Sequence, residues 1–250
     1  MERGLYTAAS AMIAQQTIMD TLAQNIANSN TVGYKQDVAT FKSLEQMMLQ
    51  RVNGNNGQGS DVGQLGTGVK TDKIYTDWSV GPLEQTNDPL NASLGAGQFF
   101  AVNTPNGERY TRAGDFRLDG KGNLVTQSGY GILDAQGRAI NVGRQQQIAI
   151  DSAGNVTAAN KPIDKLRIVQ IDTALLQKQG ESLFSLSAGA VPRQAAMPQV
   201  VPGMLEQSNV STVRSLVEMI VVQHNYDMAQ KAISTQDNLL HQAASDVAKV

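Results

Sequence analysis

Met219-Ile-Val-Val-Gln-His-Asn-Tyr-Asp-Met-Ala-Gln-Lys-Ala-Ile-Ser-Thr-Gln-Asp-Asn-Leu-Leu-His-Gln-Ala-Ala-Ser-Asp-Val247 carries one apolar stripe in steps of three and four. Its members are Met219, Val222, Tyr226, Ala229, Ile233, Gln236, Leu240, Ala243 and Val247. That alternation keeps a narrow seam turned toward a partner helix, as in a coiled coil. The opposite end of the chain repeats the pattern: Leu5, Met12, Met19 and Ile26 recur every seventh residue, with small or apolar residues between. Both termini therefore read as long helices, over 4–28 and from about Val210 to Ala248. The first should stop in Asn28-Ser29-Asn30, because Asn tolerates a left-handed cap and Gly33 supplies the next permissive backbone. Ser208 or Asn209 is positioned to cap the second. At 1.5 Å per residue that helix extends roughly 60 Å, more than a small globular domain buries.

Between the helices the period changes. Val38 to Val52 is amphipathic through Phe41, Leu44, Met47 and Met48 and reads as a short helix or an irregular extension. Asn53 to Gly68 is rich in Gly, Asn and Gln and reads as a linker. Asp119-Gly-Lys-Gly-Asn123, Asp134-Ala-Gln-Gly-Arg138 and Asp151-Ser-Ala-Gly-Asn155 repeat one turn. In each, the Asp can bond backbone two residues on, and the Gly can take positive φ. Short apolar segments separate these turns, from Phe99–Val102 to Leu166–Ile171, and predict consecutive hairpins. Ala190 to Pro202 holds three prolines and reads as a second linker. The expected fold class is α+β: a coiled-coil-like helical module drawn from both termini, with an antiparallel all-β domain inserted. Its boundaries are 1–35 with 205–250 for the helical module, 36–68 and 191–204 for the linkers, and 69–190 for the β domain.

Composition narrows the function classes. The 250 residues carry a net charge of -2, so no basic footprint points to nucleic acid. With no cysteine, disulfides, thiolate metal sites and cysteine nucleophiles are excluded together. The two histidines, His224 and His241, lie on the C-terminal helix, off the seam, and read as exposed. The chain has no G-x-S-x-G, P-loop or H-E-x-x-H pattern, and the Asp turns lack the alternating ligands of an EF-hand. No run approaches the ~20 apolar residues of a membrane span, and the N-terminal stretch lacks the apolar region of a secretory signal. The expectation is a non-enzymatic protein with no cofactor, no metal, no small-molecule substrate and no membrane insertion. An apolar stripe more often packs within its own chain than against another. Here the shorter first helix cannot cover the whole of the last, so a further copy is expected on the remainder.

Gln24-Asn-Ile-Ala-Asn-Ser-Asn-Thr-Val-Gly-Tyr-Lys35 brings a motif. It resembles the N-terminal signature of bacterial flagellar rod and hook proteins, N-x-x-N-x-x-T-x-G-[FY]-[KR], at Asn25, Asn28, Thr31, Gly33, Tyr34 and Lys35. Three further stretches are similar to the same family in the same order. They are Tyr110-Thr-Arg-Ala-Gly-Asp-Phe116 with Gly122 to Tyr130, then Gly180-Glu-Ser-Leu-Phe184, then Leu205-Glu-Gln-Ser-Asn-Val210 running on through Tyr226 to Ile233. One departure is the run Gly95-Ala-Gly-Gln-Phe-Phe100, where the family usually has G-x-G-[FY]-F.

The resemblance implies an axial subunit of the basal-body rod, of proximal or distal type, that self-associates and joins other flagellar axial proteins. It also implies export by the flagellar type III apparatus without a cleaved signal, a place in the periplasm-spanning rod, and a structural role in motility. The seam residues Leu5, Met12, Met19, Ile26, Met219, Val222, Tyr226, Ala229, Ile233, Leu240 and Val247 are the expected subunit interface. A hook-type, phage-tail or adhesin-like fibrous subunit is the alternative, and a carbohydrate-binding β domain a more remote one.

Overall fold

The computed structural model describes residues 2–44, 47–51, 60–143, 147–159, 161–180, 182–187 and 189–247. The chain divides into two compact units, each assembled from separated segments. One comprises Met1–Ile26, Asp37–Tyr75 and Thr212–Val250; the other comprises Ala27–Gln36 and Thr76–Ser211. The architecture is α+β, with a helix at each end of an antiparallel β-rich middle.

In the first unit, helix α1 spans Glu2–Ala27 and helix α2 spans Thr212–Val247. Residues 36–68 differ from the linker expectation. Asp37–Ser43 and Val69–Thr76 form one two-stranded ribbon, and Met47–Arg51 pairs antiparallel with Ser60–Leu65 in another. The β-branched and aromatic residues Val38, Thr40 and Phe41 favour the extended backbone over a helix. Residues 52–59, which include the first part of the Gly-rich stretch, lie outside the described residues. Hydroxyls one heptad apart on α1 face the ribbon: Ser10 Oγ accepts from Val69 N at 3.3 Å, and Thr17 lies 3.5 Å from Thr71. One side of α1 is thus polar for a structural reason, and hydrophobic periodicity alone does not reveal it.

The second unit holds a nine-stranded antiparallel sheet among its described residues. Its central strand, Gln98–Thr104, pairs with Gly107–Thr111, Gly131–Ile132 and Ile168–Gln170. Alternate side chains of a strand point to opposite faces. Phe100 and Val102 accordingly join Leu124, Ile132, Ile140 and Val156 in one core, while Phe99 and Ala101 join Tyr110, Val169 and Phe184 in another. Trp78 stacks into the second core, 5.7 Å from Phe99 and 4.8 Å from Phe184 between ring centres. Segment 191–204 also contributes strands: Arg193–Gln194 pairs with Ile168–Gln170, and Val200–Pro202 with Ala92–Leu94. Proline is tolerated there because it sits at a strand end. The displaced glycine at Gly97 takes φ 72° in a tight turn leading into the central strand.

The three Asp turns share one geometry. Asp119, Asp134 and Asp151 each accept backbone N–H groups two and four residues on, at 2.7–2.9 Å. Each also accepts from the fourth residue's side chain: Asn123, Arg138 and Asn155. Gly122, Gly137 and Gly154 take φ of 82°, 82° and 78°. The Asn123 carboxamide holds the Asp119 carboxyl below its ordinary value. Burial pushes Asp134 and Asp151 up, but their combined hydrogen bonds outweigh it and both end lower. A depressed carboxyl pKa adds stability above the unfolded-state value of about 3.9 and loses it as pH falls through the folded-state value. Thermal unfolding of the chain should therefore be level from neutral pH to about 5 and fall steeply below about 4. The Asp151→Asn variant should show a shallower acid limb; an unchanged limb would remove these turns as its cause.

Candidate functional site

The seam residues are mostly half-buried, and the buried apolar residues of α1, Ala14 and Leu22, stand outside its stripe. Leu5, Met12, Met19 and Ile26 of α1 are half-buried. On α2, Val222 is buried, and Met219, Tyr226, Ala229, Ile233, Gln236 and Leu240 are half-buried. Ala243 is exposed, and the side chain of Val247 lies outside the described residues. The helices approach where α1 has no side chain. A Cβ on Gly4 would stand 2.4 Å from the Gln236 carboxamide nitrogen. Ala11 and Ala229 line a common groove, so ascending residues of α1 meet descending residues of α2. The Oε1 atoms of Gln15 and Gln236 are buried without a hydrogen-bond partner among the described residues. Such unsatisfied buried atoms cost stability.

Helix α2 has a second apolar face that the stripe reading passed over. Val213, Leu216, Val217, Ile220, Val221, Met228 and Leu239 are all exposed, between 46% and 75%. At about 100° per residue these positions cluster on the side opposite the seam. A helix apolar on two opposing sides is built to lie between two neighbours. The signal was present in Val213, Val217 and Ile220, but the stronger heptad obscured it. His224 and His241 are exposed.

The signature residues divide by role. Asn25, buried near the end of α1, fastens the ribbon: its Nδ2 donates to the Asp37 carbonyl at 2.7 Å, and its Oδ1 accepts from Asp37 N at 2.9 Å. The others lie in the second unit. Thr31 Oγ1 donates to Asn28 Oδ1 at 3.1 Å within the turn after α1. Gly33, at φ 69°, donates its N–H to the Glu206 carbonyl at 2.8 Å. Tyr34 is fully buried beneath the Lys178 ammonium, 3.8 Å from the ring centre. Lys35 is buried, and its Nζ donates to Glu206 Oε1 and to the Ser79 carbonyl, both at 2.6 Å.

Glu206 is the centre of this arrangement. Its carboxylate also accepts from Arg112 Nε at 2.7 Å and from Gly81 N at 3.0 Å. Arg112 spends its remaining donors on the carbonyls of Leu94, Gly95 and Gln98. All three charged side chains are at most 2% exposed. Burial pushes the Lys35 ammonium below its ordinary value, and Glu206 opposes that shift. Beside the cluster, Asn209 Oδ1 accepts from Gln36 N at 2.8 Å while its Nδ2 donates to the Asp77 carbonyl at 2.9 Å. Asn209 therefore joins three segments instead of capping a helix, and α2 starts later than expected, at Thr212. The segment that follows α1 and the segment that precedes α2 are locked to each other through one buried carboxylate.

Gly33 leaves no room for a side chain. A Cβ there would lie 2.5 Å from Ala113 N and 2.6 Å from the Arg112 carbonyl carbon. Gly33→Ala adds a left-handed conformation costing about 1–2 kcal/mol to that clash. We expect unfolding of the second unit to shift down by more than about 2 kcal/mol, read by the fluorescence of Trp78. A variant matching wild type would show that the close approach is not required.

Three family models match the chain in this order. Residues 5–35 match the flagella basal body rod protein model, and residues 94–158 match the flagellar hook protein FlgE/F/G D1 domain. Residues 201–246 match the flagellar basal body rod FlgEFG protein C-terminal model. The flagellar basal-body rod protein FlgG of Bacillus subtilis is 34% identical over 261 residues, covering 97% of this chain and 98% of that protein. FlgG of Borreliella burgdorferi is 32% identical over 260 residues, covering 96% and 97%. FlgF of Caulobacter vibrioides is 27% identical, with both chains covered in full.

The chain belongs to the flagellar basal-body rod protein family. Each matched segment of this rod protein supplies one charge of the buried cluster: Lys35 from the first, Arg112 from the second, Glu206 from the third. Arg112 and Glu206 stand inside the quoted signatures, yet sequence reading gave them no role.

Proposed function

We propose that this chain is a structural subunit of the bacterial flagellar basal-body rod, not an enzyme, built into the axial shaft through its terminal helices. The observation that supports this most is likeness to rod proteins over nearly the whole chain, at 34% identity. The two-sided apolar α2 supports the helical route of assembly. In this reading residues 1–35 and 205–250 form a coiled-coil-like assembly module and 69–190 a β domain, with 36–68 and 191–204 connecting them. The interface residues are Leu5, Met12, Met19 and Ile26 on α1, with Met219, Val222, Tyr226, Ala229, Ile233, Leu240 and Val247 on α2. Each side chain fully buried on assembly contributes about 1.5–3 kcal/mol, which offsets the cost of ordering the helices. The partners are further copies and other flagellar axial proteins, the location is the basal body, and the shaft transmits torque. Delivery is through the flagellar type III export apparatus without a cleaved signal.

Electron microscopy of basal bodies tests the reading. A strain lacking this chain should stop at an incomplete rod, and the wild-type gene should restore it. Tyr226→Asp and Ile233→Asp should each fail to restore rods while Trp78 fluorescence still reports a folded β module. Complete rods in the deletion strain would overturn the rod assignment, and normal rods from both variants would overturn the role of the seam.

A further inference from the structure

A small polar cavity of about 150 Å³ lies within the second unit, where several signature stretches meet. Thr31 enters it from the turn after α1, Thr111 and Asp115 from the stretch ending at Phe116, and Ser182 from the approach to Leu183. At ~30 Å³ per water its room is that of about five waters, the bulk of one unbranched side chain and more than a bare ion fills. Asp115 is the one carboxylate among the described lining residues. It is half-buried and has no ion-pair partner among the described residues; the hydrogen bond to its carboxylate comes from its own backbone N–H. Burial pushes its carboxyl above the ordinary value, with no cation opposing the shift. A carboxylate withdrawn from water without a partner costs stability. Two hydroxyls add to the excess of acceptors. Thr111 Oγ1 donates to the Ser182 carbonyl at 2.8 Å and accepts from Ala113 N at 3.0 Å, which leaves one lone pair. Thr31 Oγ1 has spent its hydrogen on Asn28 Oδ1 and can now only accept.

We infer that this cavity receives a primary ammonium, the end of a lysine side chain on a neighbouring polypeptide. An ammonium carries three donors and no acceptor, and the Asp115 carboxylate, Thr31 and Thr111 offer it acceptors. A guanidinium fork pairs best with both carboxylate oxygens at once, whereas the Asp115 carboxylate already takes its own N–H. A sugar hydroxyl both gives and takes a hydrogen, and neither Thr31 nor Thr111 has one left to give. An ion pair made in this half-buried place relieves a lone charge, so it contributes more than a pair on open surface. The polypeptide source rests on the rod-subunit reading, in which the β unit stands among other subunits. The preference for an ammonium rests on the cavity alone.

Titration of the purified full chain with n-butylammonium chloride, followed by nuclear magnetic resonance, tests the cavity. The amide signals of Thr31, Thr111, Asp115 and Ser182 should shift saturably. Butanol, which has the same stem without the charge, should leave them in place, and calcium chloride should not displace the amine. Equal shifts from butanol, or displacement by calcium, would overturn the proposal without recourse to any variant. Asp115→Asn should weaken butylammonium binding by at least about tenfold, since the charge partner is gone. Its unfolding midpoint, read by Trp78, should stay level or rise, because an unpaired carboxylate has been removed. Unchanged binding by Asp115→Asn would overturn the site, and a lowered midpoint would show that the carboxylate serves the fold instead. Basal bodies treated with a water-soluble carbodiimide test the source. Mass spectrometry should find an amide joining Asp115 to a lysine of a neighbouring polypeptide. Butylammonium binding without any such amide would overturn the polypeptide source. Absence of this chain from isolated basal bodies would instead remove the rod reading and leave the ammonium site to the titration.

Discussion

Glu206→Ala is expected to lower the stability of the second unit by about 3–5 kcal/mol, the penalty for removing one partner from a buried ion pair. The change strands two buried cations, Lys35 and Arg112, and removes the acceptor of Gly81 N. The nearest compensating acceptors are already committed: Arg112 feeds three carbonyls, and Lys35 one. With a urea dependence near 2 kcal/mol per molar, the midpoint should fall by about 2 M. Trp78 reports this directly, being the one tryptophan and packed against Phe99 and Phe184. Glu206→Gln should recover part of the loss, because it keeps an oxygen acceptor while removing the charge. Lys35→Met should cost less than Glu206→Ala, since the carboxylate keeps Arg112. If Glu206→Ala unfolds within about 1 kcal/mol of wild type, the cluster is not what joins the three signature segments.

Val222→Asp is the second large effect, and it should fall on the other unit. Val222 is the seam residue of α2 that is fully buried, at 8% exposure. An ionised carboxylate placed there without a partner costs several kcal/mol, or else is protonated at a smaller cost. The far-ultraviolet helical signal should fall, because α1 and α2 supply the helix of the chain and depend on packing for stability. The Trp78 unfolding transition should persist at its wild-type position, since the β unit has its own two cores. Motility should be lost. A Val222→Asp protein with full helicity and normal rods would show that the covered seam contributes little.

How far the sequence could be read differed from element to element. The two helices and the Asp turns were legible because each is set largely by residues within a few positions of it. Asp119, Asp134 and Asp151 need only their own i+2 and i+4 neighbours, so a repeated spelling predicts a repeated turn. The strands of 37–76 were less legible, since their pairing partners lie on other segments and their polar side is answered by Ser10 and Thr17 of α1. The second apolar face of α2 was visible as composition but not as a surface, because periodicity cannot say which of two apolar faces the chain itself will cover.

By itself, the sequence determined the class of the fold, the order of helix, hairpins and helix, and the absence of any thiol chemistry. It also carried the signature from Asn25 to Lys35 that places the chain among the rod proteins. Only the tertiary structure decided why that signature ends in a lysine. Lys35, Arg112 and Glu206 are spread across the length of the chain, and a charge in a sequence looks solvated until folding removes its water. Once buried, each must find its opposite at hydrogen-bond distance, and that requirement is met only when all three segments have arrived in one place.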